Sequence, residues 1–301
     1  DLRKKLKNKN KTLDLAYSPE NLRLGDAISC YLNPERIILG TSNKLTEEAC
    51  SKLFLSITDK IQKMSFPSSE MVKHGINSFL GMSIVFANSL ADICENTGAR
   101  IEDVVKGIKS DSRIGQKSYL SPGIGFSGGT LGRDLKVLDQ ISIKTSNDFR
   151  WFNTIHEFNI NRKNIIVNKI NNILNSLDDK VIGVLGLTYK PNTSTLRRSL
   201  PLEIVNLLSE SGAIINVFDP RADYEEINIK NIFSIKKSIE EVSLNANMLL
   251  LLTEWSQFKT FDYSLIKKNM KSPIIFDTKN FLNETNIYDY GLEYYSIGSK
   301  S

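Results

Sequence analysis

What the sequence has little of excludes several large classes of protein. It has three cysteines in 301 residues, Cys30, Cys50 and Cys94, without regular spacing. That argues against a disulfide-stapled scaffold and fits a reducing compartment, so a cytoplasmic location is expected. Cys94 and Cys50 fall in apolar helical stretches, where a buried, inert thiol is the default. Of two histidines, His74 and His156, neither stands at metal-ligand spacing from other donors; both read as structural, and no metal is expected. No apolar run approaches membrane-spanning length and no signal peptide opens the chain, so no membrane association is expected. The net charge of +5 is mild, with short basic clusters at Arg3–Lys11, Lys236–Lys237 and Lys267–Lys271. No nucleic-acid-binding motif accompanies them, so no nucleic-acid partner is expected, whereas a small anionic ligand suits the same charge. Repeats and low-complexity tracts are absent.

What is present begins with Ser121–Lys136, SPGIGFSGGTLGRDLK. Gly123, Gly125, Gly128 and Gly129 leave much of this loop without side chains, so its backbone can approach a ligand closely. Arg133 and Asp134 follow, and then an apolar helical pattern from Leu131 to about Ser142. A glycine-rich loop entering a helix exposes N–H groups where phosphate or a developing oxyanion could sit; an ordinary surface turn has the same composition. Ser68–Gly98 reads as one long helix, opened by a Ser-Ser cap and stopped at Gly98. Lys73 and Asn77 stand four apart and share a face, an ammonium and an amide able to hold an alkoxide or carbonyl oxygen.

Around these, Leu13–Ala16 and Arg36–Leu39 read as strands, Asn21–Tyr31 and Thr46–Ile61 as helices, and Phe66–Pro67 as a boundary. Ile101–Lys109 and Asp148–Leu177 read as helices. Four apolar runs then have strand length: Val181–Leu187, Ile214–Pro220, Met248–Thr253 and Pro273–Thr278. Helical segments Leu200–Glu210, Ile235–Val242 and Tyr263–Lys268 alternate with them. That alternation predicts an α/β fold with a parallel sheet between helical layers.

Five segments, in order, resemble the UDP-glucose/GDP-mannose dehydrogenase family, which oxidises the C6 alcohol of a nucleotide sugar. They are SPENLRLG with NPERIILG (residues 18–25 and 33–40), EMVKHGIN (70–77), SRIGQKSYLSPGIGFSGGTLGRD (112–134), GLTYKPNT with LRRS (186–199) and LLTEWSQF (251–258). The resemblance covers nearly the whole chain. It implies the end of a Rossmann-type NAD-binding domain at residues 1–66, a central long-helix dimerisation domain at 67–165 and a Rossmann-like UDP-binding domain at 166–301. No G-x-G-x-x-G turn occurs between a strand and a helix, and the chain opens at Asp1 in the basic run KKLKNKNK. The expectation is a fragment whose main NAD site lies in a missing N-terminal domain; a short native protein that only binds nucleotide sugars is the alternative.

The resemblance also assigns roles. Lys73 and Asn77 would stabilise the alkoxide and then the oxyanion, Asp134 would orient a water, and Glu20 would take part in proton transfer. Many relatives place a second carboxylate four residues after Glu20, where this chain has Leu24. The family's nucleophilic cysteine is here Thr130, a far poorer nucleophile without an adjacent base. The second oxidation would then pass through an aldehyde hydrate, or the enzyme would stop at the aldehyde. Arg113 would reach the sugar nucleotide of a partner subunit, making the expected assembly a homodimer through the central helices. Tyr119, Gly123 and Phe126 would wrap the UDP-sugar substrate. Tyr189 and Lys190 would hold its uridine diphosphate. Lys279 stands where the family commonly shows arginine and loses the bidentate fork. Arg133 and Arg197 would contact the NAD phosphates. Trp255 reads as a packing anchor.

Overall fold

The computed structural model describes residues 13–20, 22, 25–127, 129–145, 150–227, 232–282 and 287–299. The basic run at the start, Leu24 and Gly128 therefore lie outside the described residues. The chain forms two compact units, residues 1–77 and 78–301.

The first unit holds a three-stranded sheet. Strand β1 (Ala16–Tyr17) is followed by helix α1 (Ala27–Leu32), β2 (Ile37–Thr41), α2 (Lys44–Phe54) and β3 (Ile61–Ser65). β1 runs antiparallel to β2, and β3 runs parallel to it. Asn43 caps α2 by accepting from the Thr46 N–H at 2.8 Å, which sets its start two residues before the sequence expectation. The helix stops at Phe54 rather than Ile61. The sequence IQKMS, mostly exposed, forms β3 instead, an edge strand without the apolar run that marks a buried one.

Helix α3 (Phe66–Thr97) follows at once, with Pro67 in its first turn, where a missing N–H costs nothing. By length and mean hydropathy, 1.3 over 18 residues, it is apolar enough to cross a membrane, which corrects the sequence expectation. Its buried Ile84, Ala87, Ala91 and Cys94, together with buried Asn77, Ser83 and Asn88, are built as in a core helix, with polar groups among the apolar ones. Burial and the nearby Glu102 and Glu95 push the Cys94 thiol up, so it is an inert thiol.

In the second unit α4 (Ile101–Ser110), α5 (Thr130–Lys144) and α6 (Trp151–Leu174) complete the helical part. Then come β4 (Val181–Leu185), α7 (Leu200–Glu210), β5 (Ile214–Phe218), β6 (Ser234–Ile235), α8 (Ile239–Ser243), β7 (Met248–Leu251), α9 (Tyr263–Asn269), β8 (Ile274–Asp277) and β9 (Glu293–Ser296). The sheet order is β6-β5-β4-β7-β8-β9, every pair parallel. Two strands thus join the four expected. β6 takes the first residue assigned by sequence to a helix, and that helix begins only at Ile239, where Ser238 caps it.

Strand alternation divides the core. Met248, Leu250 and Leu252 face one side with Ile182 and Val184; α6 (Ile166, Ile170) and α7 (Ile204, Leu208) cover them. Leu249 and Leu251 face the other, under Val242 of α8 and Ile266 of α9. Period two along a strand requires this when both faces are covered. Each such side chain contributes about 1.5–3 kcal/mol. Beyond β9 the chain reaches the helical part: the Ile101 N–H donates to the Gly298 carbonyl at 2.8 Å, and the Gly298 N–H donates to Glu95 at 2.8 Å.

Candidate functional site

In the first unit, the Lys73 ammonium donates to the Glu20 main-chain carbonyl, so two predicted residues 53 positions apart meet. The Glu20 carboxylate itself accepts from the Leu22 N–H. Asn77 is buried at 8% exposure, one turn beyond Lys73.

In the second unit the glycine-rich loop is held from outside by three buried side chains that local sequence patterns do not reveal. Asn88 of α3 accepts from the Gly123 N–H at 2.7 Å. Arg162 of α6 donates from Nε to the Gly123 carbonyl at 3.0 Å and pairs with Asp92 at 2.5 Å. Asn159, also on α6, accepts from the Phe126 N–H at 2.8 Å and donates to the Phe126 carbonyl at 3.0 Å. Gly125 has φ +102°, and a Cβ there would meet Asn159 Oδ1 at 2.6 Å, so both torsion and space require glycine. The Phe126 ring turns inward beside Gly81 and Gly132, which makes it a packing group of the loop. Tyr119 is exposed.

Two further contacts tie this loop to the sheet. The Leu200 N–H donates to Ser127 Oγ at 3.0 Å. Gly123 lies where a Cβ would stand 3.2 Å from the Thr278 carbonyl and 3.7 Å from Lys279 Cδ. Lys279 pairs with Glu254 at 3.3 Å, and Asp277 organises its turn by accepting from the Lys279, Phe281 and Leu282 N–H groups and the Tyr294 hydroxyl. Burial nevertheless pushes the Asp277 carboxyl up.

The strand order reverses between β4 and β7, the point where open parallel sheets bind ligands beyond their strand ends. Tyr189 and Lys190 follow β4 there. Thr253, after β7, donates from Oγ1 to the Thr188 carbonyl at 2.6 Å. Asp219, buried at the end of β5, gathers this crevice: its Oδ2 accepts from the Leu187 and Thr188 N–H groups, Thr188 Oγ1 and Trp255 Nε1, and its Oδ1 from the Arg221 and Ala222 N–H groups. Trp255 is thus an anchor, as its sequence context suggests, and what it anchors is Asp219. Lys190 Nζ lies 5.7 Å from the Tyr189 ring centroid, and partial burial raises the Tyr189 hydroxyl, keeping it neutral. Glu226 holds the far end of the loop through Thr195 Oγ1 and the Leu196 N–H, both at 2.7 Å. These hydrogen bonds hold its carboxyl below the usual range. Arg197, exposed, lies 3.6 Å from the same carboxylate.

Thr130 is the first residue of α5 and is exposed; Asp134, one turn on, is 1% exposed, with Arg133 Nε 3.6 Å from Oδ1. Arg113 pairs with Asp111 at 2.6 Å and stays exposed. His156 packs on Gly132, and no three His, Cys, Asp or Glu side chains among the described residues could share a metal ion.

Comparison with known proteins accords with this geometry. Residues 67–161 match the model of the UDP-glucose/GDP-mannose dehydrogenase family, central domain, and residues 183–284 match that family's UDP binding domain. A UDP-glucose 6-dehydrogenase of Rickettsia bellii is 34% identical over 98% of this chain and 69% of its own length. The UDP-glucose 6-dehydrogenase YwqF of Bacillus subtilis is 33% identical over 96% of this chain and 66% of its own. The chain thus spans about two thirds of the length of these relatives. Two solved structures share the fold. A UDP-glucose dehydrogenase from Pyrobaculum islandicum has TM-score 0.83 and 23% identity, over 95% of this chain and 64% of that one. The UDP-N-acetyl-mannosamine dehydrogenase Cap5O from Staphylococcus aureus has TM-score 0.79 and 22% identity, over 99% and 67%. A glycine-rich loop beside a doubly wound sheet, two family domains in order and relatives aligned along nearly the whole chain lead to one conclusion: the chain belongs to the UDP-glucose/GDP-mannose dehydrogenase family.

Proposed function

We propose that this chain forms the substrate-binding and assembling part of a cytoplasmic, NAD-dependent UDP-sugar 6-dehydrogenase. The observation that carries this reading is the continuous rim from Tyr189 through Thr188, Thr253, Glu254 and Lys279 to the Gly123 backbone. In it a ring, two ammonium groups and bare backbone stand at the end of a parallel sheet, which suits a base, a diphosphate and a sugar. In this reading Tyr189 stacks on uracil, and Lys190 and Lys279 neutralise the diphosphate. Lys73 and Asn77 hold the C6 oxygen as its proton leaves, Glu20 takes part in that transfer, and buried Asp134 orients water. Arg133 and Arg197 suit the cofactor's phosphates, since each guanidinium is mostly exposed with one carboxylate at 3.6 Å. The bound nicotinamide supplies the hydride acceptor. Phe79, Phe86 and Ile93, exposed at seven-residue spacing on α3, form an apolar stripe that suits a homodimer. The three free cysteines suit the cytoplasm.

Thr130 favours a second reading, a nucleotide-sugar-binding relative without turnover, because a hydroxyl lacks the nucleophilicity of a thiolate. The intact gene product, mixed with NAD and a panel of UDP-sugars, decides between them. An enzyme releases reduced cofactor, two per sugar with an acid product if water replaces the thiol, one with an aldehyde product if it does not. Thr130→Cys is expected to raise the acid yield. Tight UDP-sugar binding with no turnover of any sugar overturns the enzyme in favour of the binding protein.

A further inference from the structure

Helix α5 presents a second face beside the one that carries Thr130 and Asp134. Arg133, Lys136 and Lys144 on this face line a cleft of 660 Å³, with Arg198 and His156 among its other walls. Among the described residues no acidic side chain lines it. Arg133 has Asp134 at 3.6 Å, whereas the side-chain cations of Lys136, Lys144 and Arg198 make no hydrogen bond or ion pair with a described residue. Like charges that converge without a counter-charge repel one another, and an anion relieves that cost.

The backbone makes room for the arrangement. Arg198 adopts φ +56°, a left-handed conformation that non-glycine residues rarely take. Its guanidinium lies where a Cβ of Gly129 would stand. A Cβ at Gly132 would sit 3.1 Å from His156 Nε2, so a second missing side chain lets the imidazole lie against α5. Burial, then Lys136, hold the His156 imidazole below its ordinary value, with Glu157 opposing, so the ring is neutral and can donate one N–H without adding to the positive charge.

We propose that this cleft is a pyrophosphate-binding site, with Arg198 and Lys136 as its principal ligands. Neither residue belongs to the set assigned above to substrate or cofactor. Only the source of the anion rests on the dehydrogenase reading: the diphosphate bridge of the nicotinamide dinucleotide, or a free phosphate compound. A planar guanidinium beside an ammonium matches two adjacent phosphoryl groups.

The test is calorimetric titration of the chain with inorganic pyrophosphate, with UDP as the control ligand. Wild type is expected to bind pyrophosphate, more weakly as salt rises. Arg198→Glu should weaken it about tenfold or more. Gly129→Ala should do the same with the fold intact, since its φ of −100° suits alanine while the methyl displaces the guanidinium. UDP affinity should stay within about twofold in both, as expected for an independent site. Competition by NAD supports the site with the cofactor as its source, and pyrophosphate binding without competition supports it with a free anion. No pyrophosphate binding by wild type, or unchanged binding in both variants, overturns the proposal. Absence of UDP binding in wild type removes the UDP-sugar reading and leaves the cleft standing.

Discussion

The two loops that build the candidate site are held in opposite ways. Ser121–Ser127 is held by amides and a guanidinium projecting from α3 and α6, 33 to 39 residues away in sequence. The loop after β4 is held by carboxylates, Asp219 and Glu226, 30 to 32 residues away along its own sheet domain. The first therefore depends on how helices pack, and the second on a doubly wound sheet that fixes its own strand ends. A neutral amide can both donate and accept, so one Asn159 satisfies both main-chain groups of Phe126. A carboxylate only accepts, so Asp219 can collect six donors.

This contrast can be broken by mutation. The largest effect is expected for Asp219→Ala, which strands buried N–H groups at the crevice; roughly 3–5 kcal/mol of stability should be lost in denaturant titration, with UDP affinity falling too. Asn159→Ala should cost less, about 2–3 kcal/mol, because two neutral hydrogen bonds go; it should weaken sugar-nucleotide binding while free UDP binds nearly as before. Equal loss of free UDP affinity in both variants would show that the loops act as one piece. The smallest effect concerns His156, which faces Lys136 and Glu157 with Arg133 and Arg198 lining the same cleft. Its folded value lies below its ordinary one, so the unfolded chain takes the proton first. Stability should fall as pH drops below about 6.5. His156→Gln should flatten that slope in thermal scans, and so should pyrophosphate in the cleft, by lifting the imidazole towards its ordinary value.

The sequence is most legible where local chemistry decides. Helix α7 spans Leu200–Glu210 as expected, because the Ser199 cap, Pro201 and a steady apolar spacing coincide. β4, β7 and β8 read as apolar runs because both their faces are buried, and β5 does so although only one of its faces is fully buried. β3, β6 and β9 escape the same reading, since IQKMS, SI and EYYS are edge segments with exposed positions. Within the site, the glycine-rich loop, Tyr189, Lys190 and Lys279 stand out locally. Asn88, Asn159, Arg162 and Asp219 do not, because the loop backbone that each holds lies 31 or more residues distant, and in isolation each is an ordinary polar residue. Only Asp219, directly after the apolar run of β5, carries a local hint.

The segment that follows β9 has a mechanical meaning. The Gly298 backbone accepts from Ile101 and donates to Glu95, and Asn280 reaches Glu102 at 2.7 Å while holding Ile297. The segment after β9 thus closes a clasp between the sheet and α3–α4. While this segment is undocked the helices lack that tie, so the second unit gains its full cooperativity only when the clasp closes.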